Sequence, residues 1–389
     1  MQQAITNVRI KTVTGPEIRR GVVLIEDGMI AAVAENMTVP SEASIIQGKG
    51  WLLTPGMIDA HCHLGISEEG IGFEGEDYNE MTDPVTPHLR VIDGINPEEM
   101  GMWDAASNGI TTVCLAPGSA NVIGGQVAVV KTSGKVIDRM VVRFPAGLKV
   151  AFGENPKRIY HEQKRTPMTR MGTAALLREA LVKALNYLHK LEEGENEPAK
   201  KPERDLRCEA MLPVIRGEMP LRAHAHRADD ILTAIRIAEE FGVEICIEHC
   251  TEGHKIADIL ASKKIPAIVG PSLSSRIKYE LRERTFATAG ILAKAGVQVA
   301  LMTDAPVIPI EYLPIVAGLA VRHGLPEEEA WRALTINPAR ILRIADRVGS
   351  IEAGKDADLV LWDGDPFDTR TWSRMVWIGG ELIEDRRKK

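Results

Sequence analysis

Hydrophobic and polar residues follow one period at the two ends of the chain and another in the middle. Residues 4–13, 21–26 and 30–34 are short runs rich in β-branched side chains, separated by turn sequences containing glycine. Residues 357–362 and 375–378, near the other end, have the same character. The pattern predicts that both ends join in one small β-sandwich-like domain. The alternative is that each end forms a separate small β-structure at the edge of the protein.

The middle of the chain alternates strand-like and helical patterns. Between residues 174 and 191 apolar side chains recur at spacings of three and four, as on one face of a helix. A second helix is predicted to begin near Asp229 and Asp230 and to stop at Gly242. Eight apolar segments have the length of buried strands: 56–59, 111–116, 127–131, 148–152, 221–225, 243–247, 265–269 and 297–302.

Eight strands alternating with helices are typical of an α/β protein built as a (β/α)8 TIM barrel, which needs about 250 residues. We therefore predict a barrel over residues 55–346 and a composite β-domain made of residues 1–54 and 347–389. A doubly wound open sheet is the alternative architecture. The charged stretch 191–204 is predicted to be a solvated loop.

Composition and charge narrow the classes of partner. The chain has 47 basic and 54 acidic residues and a net charge of −7, which argues against binding nucleic acid or an anionic membrane. No apolar run reaches the roughly 18 residues of a membrane helix, and no signal peptide is recognised at the start. Five scattered cysteines without a CxxC pair are typical of a reduced compartment. We expect a cytoplasmic protein that acts on a small molecule and can form a homo-oligomer.

Side chains that can bind a metal follow four of the predicted strands. His61 and His63 end the first, and alternation along a strand points both imidazoles the same way. His224 ends the fifth, His249 the sixth and Asp304 the eighth. Because the carboxyl ends of barrel strands surround one mouth, these groups are expected to converge there. Imidazole and carboxylate ligands indicate a site for zinc or a similar ion.

These residues, with the segments around them, resemble the amidohydrolase superfamily of metal-dependent hydrolases. The likeness is carried by Pro-Gly-Met-Ile-Asp-Ala-His-Cys-His at 55–63, Thr-Ile-Asn-Pro-Ala at 335–339 and the glycine-flanked segment 349–359, and it covers nearly the whole chain. Within the superfamily the sequence looks closest to imidazolonepropionase and the metal-dependent dipeptidases. The resemblance implies hydrolysis of a carbon–nitrogen bond in an amide, a cyclic amide or a dipeptide-like substrate.

The resemblance also implies how the metal would be held. It assigns one or two divalent ions, with zinc the expected metal. One ion would be held deeper by His61, His63 and Asp304, and the other would be held by His224 and His249. A carboxylated lysine on the fourth strand would bridge them. Lys149 matches that position, and Glu154 is the rival bridging ligand.

His226 is open to three interpretations: a metal ligand in place of His224, a substrate contact, or a partner of a ligand. A divalent ion lowers the pKa of its bound water from 15.7 towards about 7, so hydroxide becomes available at neutral pH. Asp304 would accept the water's proton and deliver it to the leaving nitrogen. Polar and basic residues after strands five and seven could bind a substrate carboxylate: Arg227, Ser272, Ser274, Arg276 and Lys278.

Two other functions compete with amide hydrolysis. A metal-dependent deaminase on the same scaffold would need an additional glutamate as proton shuttle, for which Glu248 and Glu252 are the candidates. A non-catalytic oligomeric scaffold would keep the barrel but need none of the ligands. The full set of metal-ligand residues argues against the scaffold.

Overall fold

In the computed structural model, which describes residues 2–387, strands from both ends of the chain pair in one sheet. The five amino-terminal strands are β1 (Gln2–Ile10), β2 (Ile18–Glu26), β3 (Met29–Ala34), β4 (Ser44–Gln47) and β5 (Leu52–Pro55). The carboxyl-terminal strands are β14 (Leu359–Trp362), β15 (Ser373–Ile378) and β16 (Glu381–Asp385). They are ordered β16-β15-β14-β5-β1-β2-β3, with β4 also paired to β1. The sheet has its own cluster of buried apolar side chains, including Ile25 and Trp377. The sandwich-like packing and the domain boundaries stay predictions.

The middle of the chain forms a second, eight-stranded sheet that curls into a nearly closed barrel. Its strands run in chain order: β6 (Met57–Cys62), β7 (Ile110–Leu115), β8 (Ile123–Lys131), β9 (Val141–Ala151), β10 (Leu221–Ala225), β11 (Ile245–His249), β12 (Ala267–Val269) and β13 (Val299–Leu301). All eight segments predicted as strands lie in or beside these elements. The first and last strands are tied together by Asp59, whose carboxylate accepts hydrogen bonds from the backbone and the hydroxyl of Thr303.

The third barrel strand departs from the expected pattern. β8 is antiparallel to both β7 and β9, whereas the other neighbouring strands are parallel. The strict strand–helix alternation of a (β/α)8 barrel is therefore wrong at this place. Antiparallel strands need no crossover helix, and a connection of seven residues, 116–122, joins β7 to β8.

Eleven α-helices occur within residues 2–387, and most of them pack around the barrel. They are α1 (Met100–Ser107), α2 (Ile137–Met140), α3 (Glu154–Glu162), α4 (Arg170–Asn196), α5 (Leu206–Ile215), α6 (Ala228–Phe241), α7 (Ala257–Ser262), α8 (Ala287–Lys294), α9 (Leu313–Arg322), α10 (Glu327–Leu334) and α11 (Ile336–Ile341). None of these helices is both long enough and apolar enough to span a membrane. A cytoplasmic location stays a prediction.

Of two predictions made for the helices, the bounds of α6 agree with the structure and the loop after α4 does not. α6 places Asp229 and Asp230 in its first turn and ends at Gly242, whose φ of 63° is the left-handed conformation that favours glycine. The loop predicted over 191–204 is wrong in its first part, because α4 continues to Asn196. Charge alone does not end a helix, since a polar face can point to solvent while the other face stays packed.

An ion cluster joins the terminal sheet to the barrel. The Nζ atom of Lys131, at the end of β8, lies 2.7 Å from Asp358 and 2.9 Å from Asp356. Arg347 also reaches Asp356, at 2.9 Å. The segment 349–359 that carried part of the family resemblance thus supplies the carboxylates that hold the two sheets together.

Candidate metal centre

The carboxyl ends of the barrel strands enclose a cavity of about 570 Å³. At its floor it is lined by the residues predicted to bind metal: His61, His63, Lys149, His224, His226, His249 and Asp304. All seven are at least nine-tenths buried. The structure therefore brings these side chains from separate strands together at the mouth, while their roles as ligands stay predictions.

Three histidines form the outer part of this floor. The rings of His224 and His249 have centroids 4.2 Å apart, and His226 lies 4.7 Å from the first and 4.6 Å from the second. One nitrogen from each ring lies within 4.8 Å of the others, close enough to share one ion. The structure therefore brings both His224 and His226 to the place for which the sequence preferred His224 alone.

A second group lies deeper and shares one histidine with the first. His61, His249 and Asp304 each offer an atom within 4.8 Å of the other two. The Oδ1 atom of Asp304 is 3.3 Å from Nε2 of His61 and 3.4 Å from Nε2 of His63. His249 therefore stands between two possible ion positions, a bridging placement that strand spacing could not reveal.

Hydrogen bonds to one ring nitrogen orient several of these histidines. The Nδ1 atom lies 2.7 Å from the carbonyl oxygen of Ala116 in His63 and 3.1 Å from that of Gly270 in His249. In His226 it lies 2.8 Å from the hydroxyl of Thr251. A ring held through Nδ1 keeps Nε2 as its ligand atom, an arrangement common in metal sites.

Burial and mutual proximity keep the outer histidines neutral. Burial lowers the pKa of His249 to about 3. Burial and the neighbouring imidazoles also lower the pKa of His224 well below the ordinary value. The pKa of His226 is likewise well lowered, by burial and by the nearby charge of Lys278. Neutral imidazole is the form that binds a cation, so these rings are poised as ligands at neutral pH.

The backbone at two of these positions is unusual. His249 and Asp304 have φ angles of 69° and 58°, in the left-handed region that non-glycine residues rarely occupy. His249 is the last residue of β11 and Asp304 follows the end of β13 by three residues, so in both cases the chain turns near the residue whose side chain lines the cavity. Strained backbone of this kind clusters at functional sites.

Two buried atoms of the floor support its fit to a cation. Nδ1 of His224 and Oδ1 of Asp304 are inaccessible to solvent and accept or donate no well-formed hydrogen bond within residues 2–387. Buried polar atoms are normally paired, because leaving one unpaired costs about 1–3 kcal/mol. A divalent ion held by imidazole and carboxylate would engage atoms of this kind.

A buried ion network lies beneath the floor. Glu248, fully buried on β11, accepts hydrogen bonds of 2.7 Å from both Nζ of Lys149 and Nε of Arg222. Its Oε2 atom is also 3.2 Å from Nδ1 of His61. Burial raises the pKa of Glu248, but these cationic neighbours outweigh it and hold the pKa well below its usual value. Glu248 is therefore an anion that supports Lys149 and His61 from below.

The two glutamates considered as deaminase shuttles do not line the cavity. Glu248 is committed to the network beneath the floor. Glu252 accepts a hydrogen bond from the backbone of Ala228 at 3.0 Å and pairs with Lys255 at 3.2 Å. Glu154, the rival bridging ligand, also lies outside the cavity lining, at the first position of α3, whereas Lys149 lies on it.

Of the five residues predicted to bind substrate, the structure places only Ser274 and Lys278 on the cavity. Arg227 instead forms a bidentate pair with Asp229, at 2.7 and 2.9 Å. The guanidinium of Arg276 donates to the carbonyl oxygens of Arg282 and Arg284, both at 3.0 Å. Ser272 lines a small separate pocket behind His249. Local partners therefore hold the two arginines away from the site, and Ser272 lies on a different pocket.

Sequence reasoning missed several polar residues at the mouth. Asn155 donates to Ser119 at 2.7 Å and lies 3.5 Å from Nε2 of His224. The buried Glu280 lies 2.6 Å from Nζ of Lys278 and 3.6 Å from Nε2 of His226. Neither residue belongs to a metal-ligand motif, and only the folded loops bring them to the histidines, so the sequence carried no signal for them.

Comparison with known proteins fits this architecture. The family model described as "Amidohydrolase family" matches residues 214–383. The chain is 48% identical to an amidohydrolase of known structure from Thermotoga maritima MSB8, with a TM-score of 0.96 over 98% of this chain and all of that one. A prolidase crystallised with N-methylphosphonate-L-proline is 18% identical, with a TM-score of 0.63 over 99% of this chain and all of that one, and shares the fold.

Two curated relatives extend the comparison. Amidohydrolase tasK from Hapsidospora irregularis is 31% identical over 92% of this chain, but this chain spans only 39% of its length. An imidazolonepropionase from Bacillus cytotoxicus is 26% identical over 97% of this chain and 92% of its own. The chain therefore belongs to the amidohydrolase family, whose members hydrolyse carbon–nitrogen bonds. This confirms the family predicted from the sequence.

Proposed function

We propose that this protein is a metal-dependent amidohydrolase that cleaves the carbon–nitrogen bond of a small amide, cyclic amide or dipeptide-like substrate. The observation that carries the proposal is the pair of overlapping ligand groups, His224–His226–His249 and His61–His249–Asp304, on the buried floor of one cavity. Two groups sharing a histidine suit one ion or two neighbouring ions, and zinc is the metal we propose.

His61, His63, His249 and Asp304 would hold the deeper ion, and His224, His226 and His249 the outer one. When bound, such ions supply positive charge that makes water nucleophilic and polarises a carbonyl group. Lys149 lies beside His61, with its Nζ atom 3.4 Å from Nε2. We propose it as the bridging ligand after carboxylation, a change that would also require it to leave Glu248.

Asp304 is the residue we propose to move the proton. The imidazoles of His249, His61 and His63 hold the pKa of its carboxyl well below the usual value, although burial alone would raise it. The group is therefore ionised at neutral pH and can take a proton from water on the cavity floor. It can then pass that proton to the leaving nitrogen, which amide cleavage requires because an amine anion is a poor leaving group.

The residues that line the cavity favour hydrolysis of an amide over deamination. Neither Glu248 nor Glu252 reaches the cavity, so the glutamate expected of a deaminase has no match among the two candidates. Product analysis separates the reactions, since a deaminase releases ammonia and an amide hydrolase releases an amine and an acid.

The test combines metal content with a substrate panel. Purified protein is analysed for metals by mass spectrometry, then assayed with N-acyl amino acids, dipeptides, hydantoin-like rings and imidazolones. We expect one or two equivalents of a divalent ion and amine release from one class. The double variant His224→Ala/His226→Ala should lose the outer ion, whereas His254→Ala, which alters a histidine off the cavity, should keep full metal content. Protein that binds no stoichiometric ion would refute the proposal.

A further inference from the structure

The basic side chains that line the cavity differ in whether they are paired with an acidic side chain. Lys149 is paired with Glu248 and Lys278 with Glu280. Arg158, the third basic side chain that lines the cavity, has no ion pair or hydrogen bond with any residue in the range 2–387. A negatively charged substrate entering the cavity would therefore meet one basic group whose charge is uncompensated.

The helix α3 sets where the backbone of Arg158 lies, and its side chain is exposed. Asn155, one turn earlier on α3, is anchored between Ser119 and Lys278, at 2.7 and 3.0 Å, and its amide lies 3.5 Å from His224. Residues three apart on a helix share a face, with Cβ atoms about 5–6 Å from one another. Arg158 thus stands one helical turn outward from the outer histidines, and Ile159 beside it also lines the cavity.

Arg158 offers a substrate anion a binding group on the cavity wall, away from the floor where the ions are proposed to lie. The floor carries the carboxylate of Asp304, and Lys149 and Lys278, the other two basic side chains on the cavity, are each paired with a glutamate. A planar guanidinium binds carboxylate through two parallel hydrogen bonds, a geometry that lysine cannot supply. Other parts of the wall are apolar, formed by Met81, Ile277, Leu281 and Val307, and suit an uncharged acyl group.

We propose that Arg158 binds the carboxylate of the substrate, so that the preferred substrates are amides whose amine portion bears a free carboxylate, as in N-acyl amino acids. The inference rests on the proposed function for the identity of the reaction. It assigns the anion-binding role to a residue of α3, and not to Arg227 or Arg276, whose guanidinium groups are already engaged.

The test uses a probe that cannot be hydrolysed. 3-Benzoylpropionate has the shape of N-benzoylglycine with carbon in place of the amide nitrogen, and its methyl ester lacks the charge. Binding of both to the metal-loaded protein is measured by calorimetry. We expect the acid to bind more tightly than the ester, and Arg158→Met to weaken the acid about 10- to 100-fold while leaving the ester unchanged. Arg158→Lys should restore part of the loss.

The matched control is Lys157→Met, which removes a positive charge from the same helix at a residue that does not line the cavity. It should leave the affinity for the acid unchanged. Equal affinity of the wild-type protein for acid and ester, or an Arg158→Met variant that binds the acid normally, would overturn the inference. If the wild-type protein turns over no compound of the amide panel but its binding of the acid still depends on Arg158, the proposed function alone is overturned.

Discussion

Removing the charge of Glu248 should destabilise the protein more than any comparable surface change. In Glu248→Gln the side chain keeps its size, but Lys149 and Arg222 lose the anion that both contact at 2.7 Å. All three side chains are at most 1% exposed, so water cannot replace the lost partner. Breaking a buried ion pair from one side costs about 3–5 kcal/mol. For 389 residues that corresponds to a melting temperature lower by about 4–6 °C.

The assay is urea and thermal unfolding of metal-free protein at pH 7, which keeps metal binding out of the comparison. Glu240→Gln is the matched control, because its pair with Arg178 has the same kind of contact at 2.8 Å but is partly exposed. That variant should lose at most about 1 kcal/mol. Adding Lys149→Met to Glu248→Gln should recover part of the loss by removing one unpaired cation. Equal stability of Glu248→Gln and the control would refute the idea that this network is a charged, dry cluster.

Three further predictions follow from single contacts. Asp304→Asn should lower kcat by about 10²- to 10⁴-fold with an unchanged circular dichroism spectrum, and near-normal turnover would contradict its role in proton transfer. Lys131→Met should cost about 3 kcal/mol in urea unfolding, because it leaves the buried Asp358 without its cation; Lys135→Met, at an exposed lysine, is the control. Hydrogen bonds from Lys355 and Thr14 lower the pKa of Glu352 from 4.5 to about 2. A carboxyl whose pKa is lower in the native state stabilises the fold at pH values above its unfolded pKa. The free energy of unfolding at pH 7 should therefore be about 1 kcal/mol higher for wild type than for Glu352→Gln, a modest value because Glu352 is partly exposed. This difference should shrink as pH falls from about 4.5 to 2.

The barrel was predictable because its strands are apolar runs of characteristic length with metal-binding residues at their ends. His61 and His63 followed from alternation along β6, and His224, His249 and Asp304 from the rule that barrel strands end at one mouth. The reversed direction of β8 could not be read from the sequence. A buried strand has the same apolar composition whichever way it runs, and its direction depends on pairing partners that are distant in the chain.

The mouth itself was harder to predict than the floor. The sequence predicts Arg227 and Arg276 at the mouth because they follow strand ends, but a nearby carboxylate binds the first and nearby carbonyl oxygens bind the second. Arg158 lies in the middle of a helix, where a lone arginine is ordinarily a solvated surface residue. Its placement depends on how α3 is anchored through Asn155, which is a property of the folded loops.

The inverted strand also makes the rim of the barrel uneven. Between β7 and β8 the rim consists of a connection of seven residues, 116–122, with Gly118, Ser119 and Ala120 on the cavity, whereas 37 residues, 63–99, separate β6 from α1 on the adjoining side. A short link between hydrogen-bonded strands has little freedom to lengthen or move, and a long irregular excursion has much. Sequence changes that alter substrate selectivity among close relatives should therefore accumulate in residues 63–99. Residues 116–122 should instead form a constant side of the cavity that different ligands contact.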